Sequence, residues 1–481
     1  MPGFVYLIPG TTRPSLNRGY PERNRVGPGE HFNRHNGGKD LPLYVNTCGN
    51  EGTGARTLRK VSVRLLPFLI LLYVIAYLDR VNFGFAALEM NSALGLSSEV
   101  FGFLSGIFFI GYLLFELPSN LILQKTGARI WIARILISWG IVVMVTAFAT
   151  DALQLAVLRF VLGVAEAGFF PGILLYLTYW FRERELAKAV ALLMTALAIS
   201  TIVGAPVSTW ILDSVHWFGM AGWRWLFVLE GLPAIILGII TYWYLSDRPE
   251  DAGWLEPEER AWLSGEIKKE NPLRQKQGNH NGLLSVITDR RIWHLAFIYC
   301  MLVIALYGLG FWMPQIIRSM DKSLSNTSIG LVMVVPYACA GMAMILWSRH
   351  SDRTGERRWH TAIPPLVGGI ALAGSGMVTS PLAAFLLIIV ATVGIFCAFG
   401  PFWTLPSLFL AELSAAAGIA VINSVGNAGG FIGPTLMGYL TQATGSTNAG
   451  LVAIGICLAL GGTGAAAVST WHRAEKDRNS Q

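Results

Sequence analysis

From Thr361 to Leu410 the chain carries no Lys, Arg, Asp or Glu. A helix crosses the hydrocarbon core of a bilayer with roughly 20 apolar residues, so an uncharged run of this length fits a membrane far better than a water-soluble core. Leu226 to Leu245 repeats the pattern with one acid, Glu230. The whole chain is 53% hydrophobic and 14% charged, with a mean hydropathy of +0.51, above what a soluble domain needs. A bilayer admits only helices or closed barrels, and these runs are too long and uniform for strands. The expected fold class is an all-α polytopic membrane protein.

Counting apolar runs gives about twelve expected transmembrane helices. The polar stretch 246–291 divides them six and six, and the halves resemble each other. Gly127 follows the second run and Gly355 the eighth, an offset of 228 (355 − 127), and the same offset carries Pro206 onto Pro434. Two matches at one spacing argue for duplication. The expected domains are a six-helix bundle over 57–245, a central cytoplasmic loop over 246–291, a second bundle over 292–471 and a cytoplasmic tail over 472–481. Residues 1–56, rich in Arg, Asn, Gly and Pro, are expected to form a disordered cytoplasmic extension.

The net charge of +7 does not point to nucleic acid, because the basic residues sit in particular connecting loops and form no interleaved patch. Lys125, Arg129, Arg182, Arg184, Lys188, Arg349, Arg353, Arg357 and Arg358 occupy one set of loops; the alternate set holds only Arg224, Arg318 and Lys322. By the positive-inside rule both termini are expected in the cytoplasm and the chain in the inner (plasma) membrane. The five cysteines are scattered, with no metal-ligand spacing, and are read as packing residues.

More specific stretches follow in order: YLDRVNFGFAAL at 77–88, FFIGYLLFELPSNLIL at 108–123, LRFVLGVAEAGFFPG at 158–172, GWRWLFVLEGLPA at 222–234, SDRTGERRWH at 351–360 and NSVGNAGGFIGP at 423–434. With the duplicated turn motif, they resemble the major facilitator superfamily, and within it the carboxylate permeases of the anion:cation symporter family. The resemblance covers about residues 60 to 470. It implies two six-helix bundles around a central cavity, with Tyr77, Tyr112, Trp403 and Asn423 lining the substrate site. The first turn departs from the family pattern, with Gln124 in place of the usual Asp and Asn120 in place of Gly. Any gating salt bridge is therefore expected in the second copy, from Asp352, Arg353, Arg357 and Arg358.

Charges inside the runs need reasons of their own, since each costs about 2.5–3.5 kcal/mol on insertion scales unless it faces protein or water. Asp79 and Arg80 lie about 22 Å along the helix from Arg64 at 1.5 Å per residue, past the membrane midplane. Arg159 and Glu166 are seven residues apart, two helical turns, and share a face. Arginine suits a carboxylate by paired hydrogen bonds, so Arg80 and Arg159 are the expected substrate-binding cations. Burial favours a protonated acid and a neighbouring arginine its ionised form, which makes Asp79 and Glu166 the expected proton-coupling pair. A structural reading competes at each of these positions. Glu116 and Glu230 are read as structural acids, Glu116 within reach of Arg129 or Arg134.

Enzyme motifs are absent from the sequence: no Gly-x-Ser-x-Gly, His-Glu-x-x-His, Walker loop or Cys-x-x-Cys occurs. No enzyme activity, metal or cofactor is expected. The preferred reading is import of a small organic anion with protons by alternating access, with the bilayer as the other partner and the chain acting as a monomer. Anion exchange or export is the alternative within transport, and a carboxylate receptor the alternative outside it.

Overall fold

The computed structural model describes residues 48–275, 288–406 and 412–468; most of the expected extension, part of the central loop and the tail lie outside the described residues. Fourteen α-helices follow in chain order among those described: α1 Cys48–Ala93, α2 Ser98–Thr126, α3 Ala128–Thr146, α4 Ala152–Glu166, α5 Phe169–Thr178, α6 Glu183–Ser214, α7 Gly222–Tyr244, α8 Pro257–Gln275, α9 Arg290–Met320, α10 Asn326–Thr354, α11 Arg358–Ser375, α12 Pro381–Phe402, α13 Glu412–Thr444 and α14 Asn448–Ala467. Ten stretches among the described residues are long and apolar enough to cross a membrane, with α4 and α5 forming one of them. The other two long helices of the expected twelve, α11 and α13, pack among these ten: Gly369 of α11 lies against Ala459 of α14, and Gly433 of α13 against Ile304 of α9.

Local chemistry marks the duplication at every turn. Ser97 caps α2 by accepting from the backbone N–H of Val100 at 3.3 Å, and Ser325 (325 − 97 = 228) caps α10 by accepting from Ser328 at 3.1 Å. At the other ends of these helices Gly127 and Gly355 take φ of +91° and +69°, conformations that favour glycine because a side chain there meets its own backbone.

The same offset seals the halves together. A Cβ on Gly102 of α2 would lie 2.5 Å from the Pro434 carbonyl oxygen of α13, and one on Gly330 (330 − 102 = 228) of α10 would lie 2.5 Å from the Ala205 carbonyl oxygen of α6. Such close backbone approach is how small residues join helices in a bilayer, where the solvent gives no hydrophobic push. Polar bonds at this far end reinforce it. The backbone N–H and hydroxyl of Thr327 each donate to Asp213 at 2.7 Å, and Asn326 donates to Glu89 at 3.0 Å. The opposite end carries the turns at Gly127 and Gly355 and the Lys- and Arg-bearing loops, and is the basic end of the bundle.

The central polar stretch is more ordered than a linker. Helix α8 docks on the basic end of α1, where Lys60 pairs with Glu259 at 2.7 Å and Arg56 with Glu256 at 2.8 Å. Gly54 faces the Trp262 ring. Helix α1 accordingly starts at Cys48, ahead of the expected boundary at 57.

Candidate functional site

The site is built where α4 breaks. Glu166 is the last residue of α4; Ala167 leaves helical geometry, Gly168 turns at φ +84°, and α5 resumes at Phe169. Only a residue free of a Cβ takes that turn without strain, and a Cβ there would also run into Ser119. Gly163, one turn earlier, lets α4 pack directly on the backbone of α2 at Phe108 and Tyr112, which brings both aromatic rings beside the acid.

Arg80 of α1 enters this corner. Its Nη2 forms an ion pair with Glu166 Oε1, and its Nη1 donates to the Tyr307 hydroxyl of α9 at 3.1 Å. The guanidinium lies 5.2 Å from the Phe108 ring centroid and 5.4 Å from that of Tyr112, within the range of cation–π attraction. Arg80 is 7% exposed and Glu166 2%. The pair therefore sits in a low-dielectric setting, strongly coupled and costly to break by removing one member. A helix C-terminus carries partial negative charge, so the end of α4 adds to the attraction for Arg80.

Arg159 lies two turns toward the far end on the same helix. Its Nε donates to the Leu104 carbonyl at 3.4 Å, and its guanidinium lies 4.5 Å from the Phe83 centroid and 5.2 Å from that of Phe108. Arg80 and Arg159 thus share the Phe108 ring. The Nη2 atom of Arg159 is buried without a hydrogen-bond partner among the described residues.

Asp79 has other partners. Successive residues on a helix are about 100° apart, and this rotation turns Asp79 into the interior of the first half while Arg80 faces the second. Trp139 Nε1 of α3 donates to Asp79 Oδ2 at 2.8 Å, and Asn82 reaches Oδ1 at 3.5 Å. Of the two expected proton-coupling acids, Glu166 bonds Arg80 and Asp79 bonds Trp139 and Asn82.

Tyr77 and Tyr112 are 4% exposed, and Tyr77 lies within electrostatic reach of Tyr307 and Tyr337 of the second half. Trp403, at the end of α12, packs edge-on against Tyr299 with centroids 4.9 Å apart. Asn423 of α13 donates to Glu116 of α2 at 3.3 Å across the two halves. Glu116 therefore bonds Asn423, in place of the expected Arg129 or Arg134. Arg129 instead turns to Asp247, whose Oδ1 accepts from its backbone N–H at 2.8 Å. Asp247 thereby supplies at the first turn the carboxylate that Gln124 does not.

The expected latch is confined to its own half among the described contacts. Arg357 donates to Asp352 at 2.6 Å and to Ser351 at 3.0 Å, and Arg358 donates to the Ala466 carbonyl. Arg353 is exposed. The turn is braced against α14 by these bonds, with none of them reaching the first half.

Phe108, Tyr299 and Trp139 were absent from the expected site. The 228 offset makes Tyr307 the second-half counterpart of Asp79 (307 − 79). Glu116 lies four residues after Tyr112, hence on one helical face with it.

The profile of the Major Facilitator Superfamily matches residues 69–434. A protein of Agrobacterium vitis named "Putative tartrate transporter" is 47% identical over 84% of this chain and 92% of its own length. A "Quinolone resistance transporter" of Acinetobacter baumannii is 38% identical over 84% of this chain and 93% of its own. Among solved structures, a bacterial homologue of the human lysosomal transporter Spinster superposes with a TM-score of 0.72 at 17% identity, covering 86% of this chain and 97% of that one. Duplicated halves that seal through matched glycines, and a buried cation shared between them, are thus found in a chain that belongs to the major facilitator superfamily of membrane transporters.

Proposed function

We propose that the protein is a proton-coupled importer of a small organic anion bearing a carboxylate, working by alternating access between two six-helix bundles. The observation that carries this reading is Arg80, buried and held by Glu166 of its own half and Tyr307 of the other. An incoming carboxylate competes with Glu166 for Arg80, because both offer the same paired acceptor oxygens. Glu166, released from its cation in a water-poor corner, binds a proton in compensation. Anion and proton then load together, and the new bond from Arg80 to the anion changes what Tyr307 holds across the boundary. Asp79 is the second candidate proton site, linked to the first through α1, which carries both Asp79 and Arg80.

The positive-inside rule places the basic end in the cytoplasm, which puts both termini there and makes the sealed far end periplasmic in an inner membrane. In this orientation α11 and α13 are crossings nine and eleven of twelve, and one chain holds the whole pathway as a monomer. The likeness to the tartrate-named relative supports a carboxylate substrate. The likeness to the quinolone resistance transporter favours a second reading, export of an acidic drug through the same site.

Uptake of labelled tartrate and of aromatic carboxylates into proteoliposomes under an imposed inward pH gradient tests the proposal. Stimulation by the gradient, lost in Glu166→Gln while anion exchange persists, is the expected result. Gradient-driven accumulation that survives Glu166→Gln, or flux that demands an internal counter-anion, overturns it.

A further inference from the structure

We infer that Glu116 is a specificity-determining residue whose carboxylate receives a hydroxyl group of the transported anion, with Asn423 and Tyr299 completing the subsite. The inference rests on the reading that Arg80 takes the anion's carboxylate, and adds the chemical class of the remainder of the substrate.

Glu116 stands one helical turn beyond Tyr112 toward the basic end, about 6 Å along α2 at 1.5 Å per residue. It is within electrostatic reach of both Arg80 and Tyr299. Asn423 donates to its Oε1 at 3.3 Å. The remaining polar atoms, Glu116 Oε2, Asn423 Oδ1 and Tyr299 Oη, are each buried and lack a hydrogen-bond partner among the described residues. Tyr299 is fully buried and Asn423 is 3% exposed. The Tyr299 ring lies against Gly426, one turn from Asn423 on α13, so the ring and the amide belong to one neighbourhood. A buried polar atom without a partner costs about 1–3 kcal/mol, and three drawn from α2, α9 and α13 are a costly feature for packing alone.

Their chemistry is selective. A carboxylate oxygen and an amide oxygen only accept, and a phenol both donates and accepts. Two acceptors beside one adaptable group suit hydroxyl donors. The ligand that satisfies Arg80 and this subsite together is a hydroxylated carboxylate, its hydroxyl a few bonds from the acid group. A purely aromatic or aliphatic acid leaves the three atoms unpaired, and sites built to bond a hydroxyl reject analogues that lack it by large factors.

The test uses the full-length protein in proteoliposomes and two matched pairs of equal charge: tartrate with succinate, and gluconate with hexanoate. Wild type is expected to take at least one hydroxylated member over its hydroxyl-free partner by about 100-fold or more in kcat/KM. Glu116→Ala lowers that ratio at least about tenfold, and Tyr299→Phe lowers it about threefold in the same direction. Tyr299→Phe removes only an unpartnered hydroxyl, so it decides the matter if Glu116→Ala does not fold. Carboxylate transport with no hydroxyl preference, or a ratio unchanged by Tyr299→Phe and by any folded Glu116→Ala, overturns this inference alone. A wild type that moves no carboxylate overturns the transport reading beneath it as well.

Discussion

Asp79 and Arg80 are adjacent in sequence and face opposite partners: Trp139 holds the acid at 2.8 Å inside the first half, while the Tyr307 hydroxyl of the second half lies 3.1 Å from the arginine. One helix therefore carries a buried acid on one face and the inter-half cation on another. A small rotation of α1 moves both at once, which couples the interior of the first half to the boundary between the halves without any direct bond between the two side chains.

Arg80→Lys tests how the cation grips its partners. The guanidinium bonds Glu166 and Tyr307 at once through two different nitrogens, and an ammonium, a compact point charge on a flexible stem, does not reproduce that fork. Charge-assisted hydrogen bonds contribute about 1.5–3 kcal/mol each, so anion affinity is expected to fall about 10- to 100-fold with charge preserved. Ligand titration of the purified variant measures it; affinity equal to wild type would show that the bidentate geometry is immaterial.

Asp79→Asn separates the two acids. Asparagine keeps an oxygen for Trp139 to donate to, so the packing of α1 on α3 is expected to hold and the melting temperature to change little. The proton stoichiometry, read from the reversal potential of anion flux, should fall by one relative to wild type. A stoichiometry that stays the same would assign Asp79 a purely structural place.

The duplication was legible in the sequence because its markers are local. A glycine at a left-handed turn and a serine at a helix start are fixed by the backbone of a few residues, and Ser97, Ser325, Gly127 and Gly355 all kept the 228 offset. The helical class followed from apolar run lengths for the same reason. What each buried acid faces was not legible, because the rotational phase of a helix is set by partners on other helices. YLDRVNF gives no hint that Trp139, sixty residues on, claims Asp79. Likewise the residues around Glu116 point to Arg129 or Arg134 as its partner, and only the placement of α13 brings Asn423 to it. In the central stretch α8 docks on the end of α1 through ion pairs and through buried Leu263 and the Trp262 ring, a pairing set by another helix and not by its own composition.

Gly330→Val probes the seal. The added Cβ meets the Ala205 carbonyl oxygen of the other half, and overpacking of a close contact costs about 1–3 kcal/mol. That cost falls on the state with the far end shut, so the population is expected to move toward the far-open state by about 5- to 150-fold. Maleimide labelling of Thr327→Cys, placed beside Asp213 in the closed contact, should accelerate accordingly in the Gly330→Val background. A labelling rate that does not change would mean that the seal does not depend on this crossing.

The docking of α8 carries a pH dependence whose sign is fixed by its charges. Burial pushes the Glu259 carboxyl up. Hydrogen bonds from Lys60 and from the Glu256 backbone, with the charges of Lys60 and Arg56, more than offset that and hold it below the ordinary carboxylate range. A lowered folded value means that the unfolded or undocked carboxyl binds a proton more readily. The stabilisation is therefore complete above the ordinary carboxylate value of about 4.3 and is lost as pH falls through the lowered one. Limited proteolysis within 257–275 is expected to be slow at neutral pH and to speed up as acid protonates Glu259. Glu259→Gln, which removes the charge at every pH, should show the fast rate at neutrality and a flatter pH response. Equal, pH-independent cleavage of both proteins would show that α8 is held by Trp262 and its apolar neighbours, with the ion pairs contributing nothing measurable.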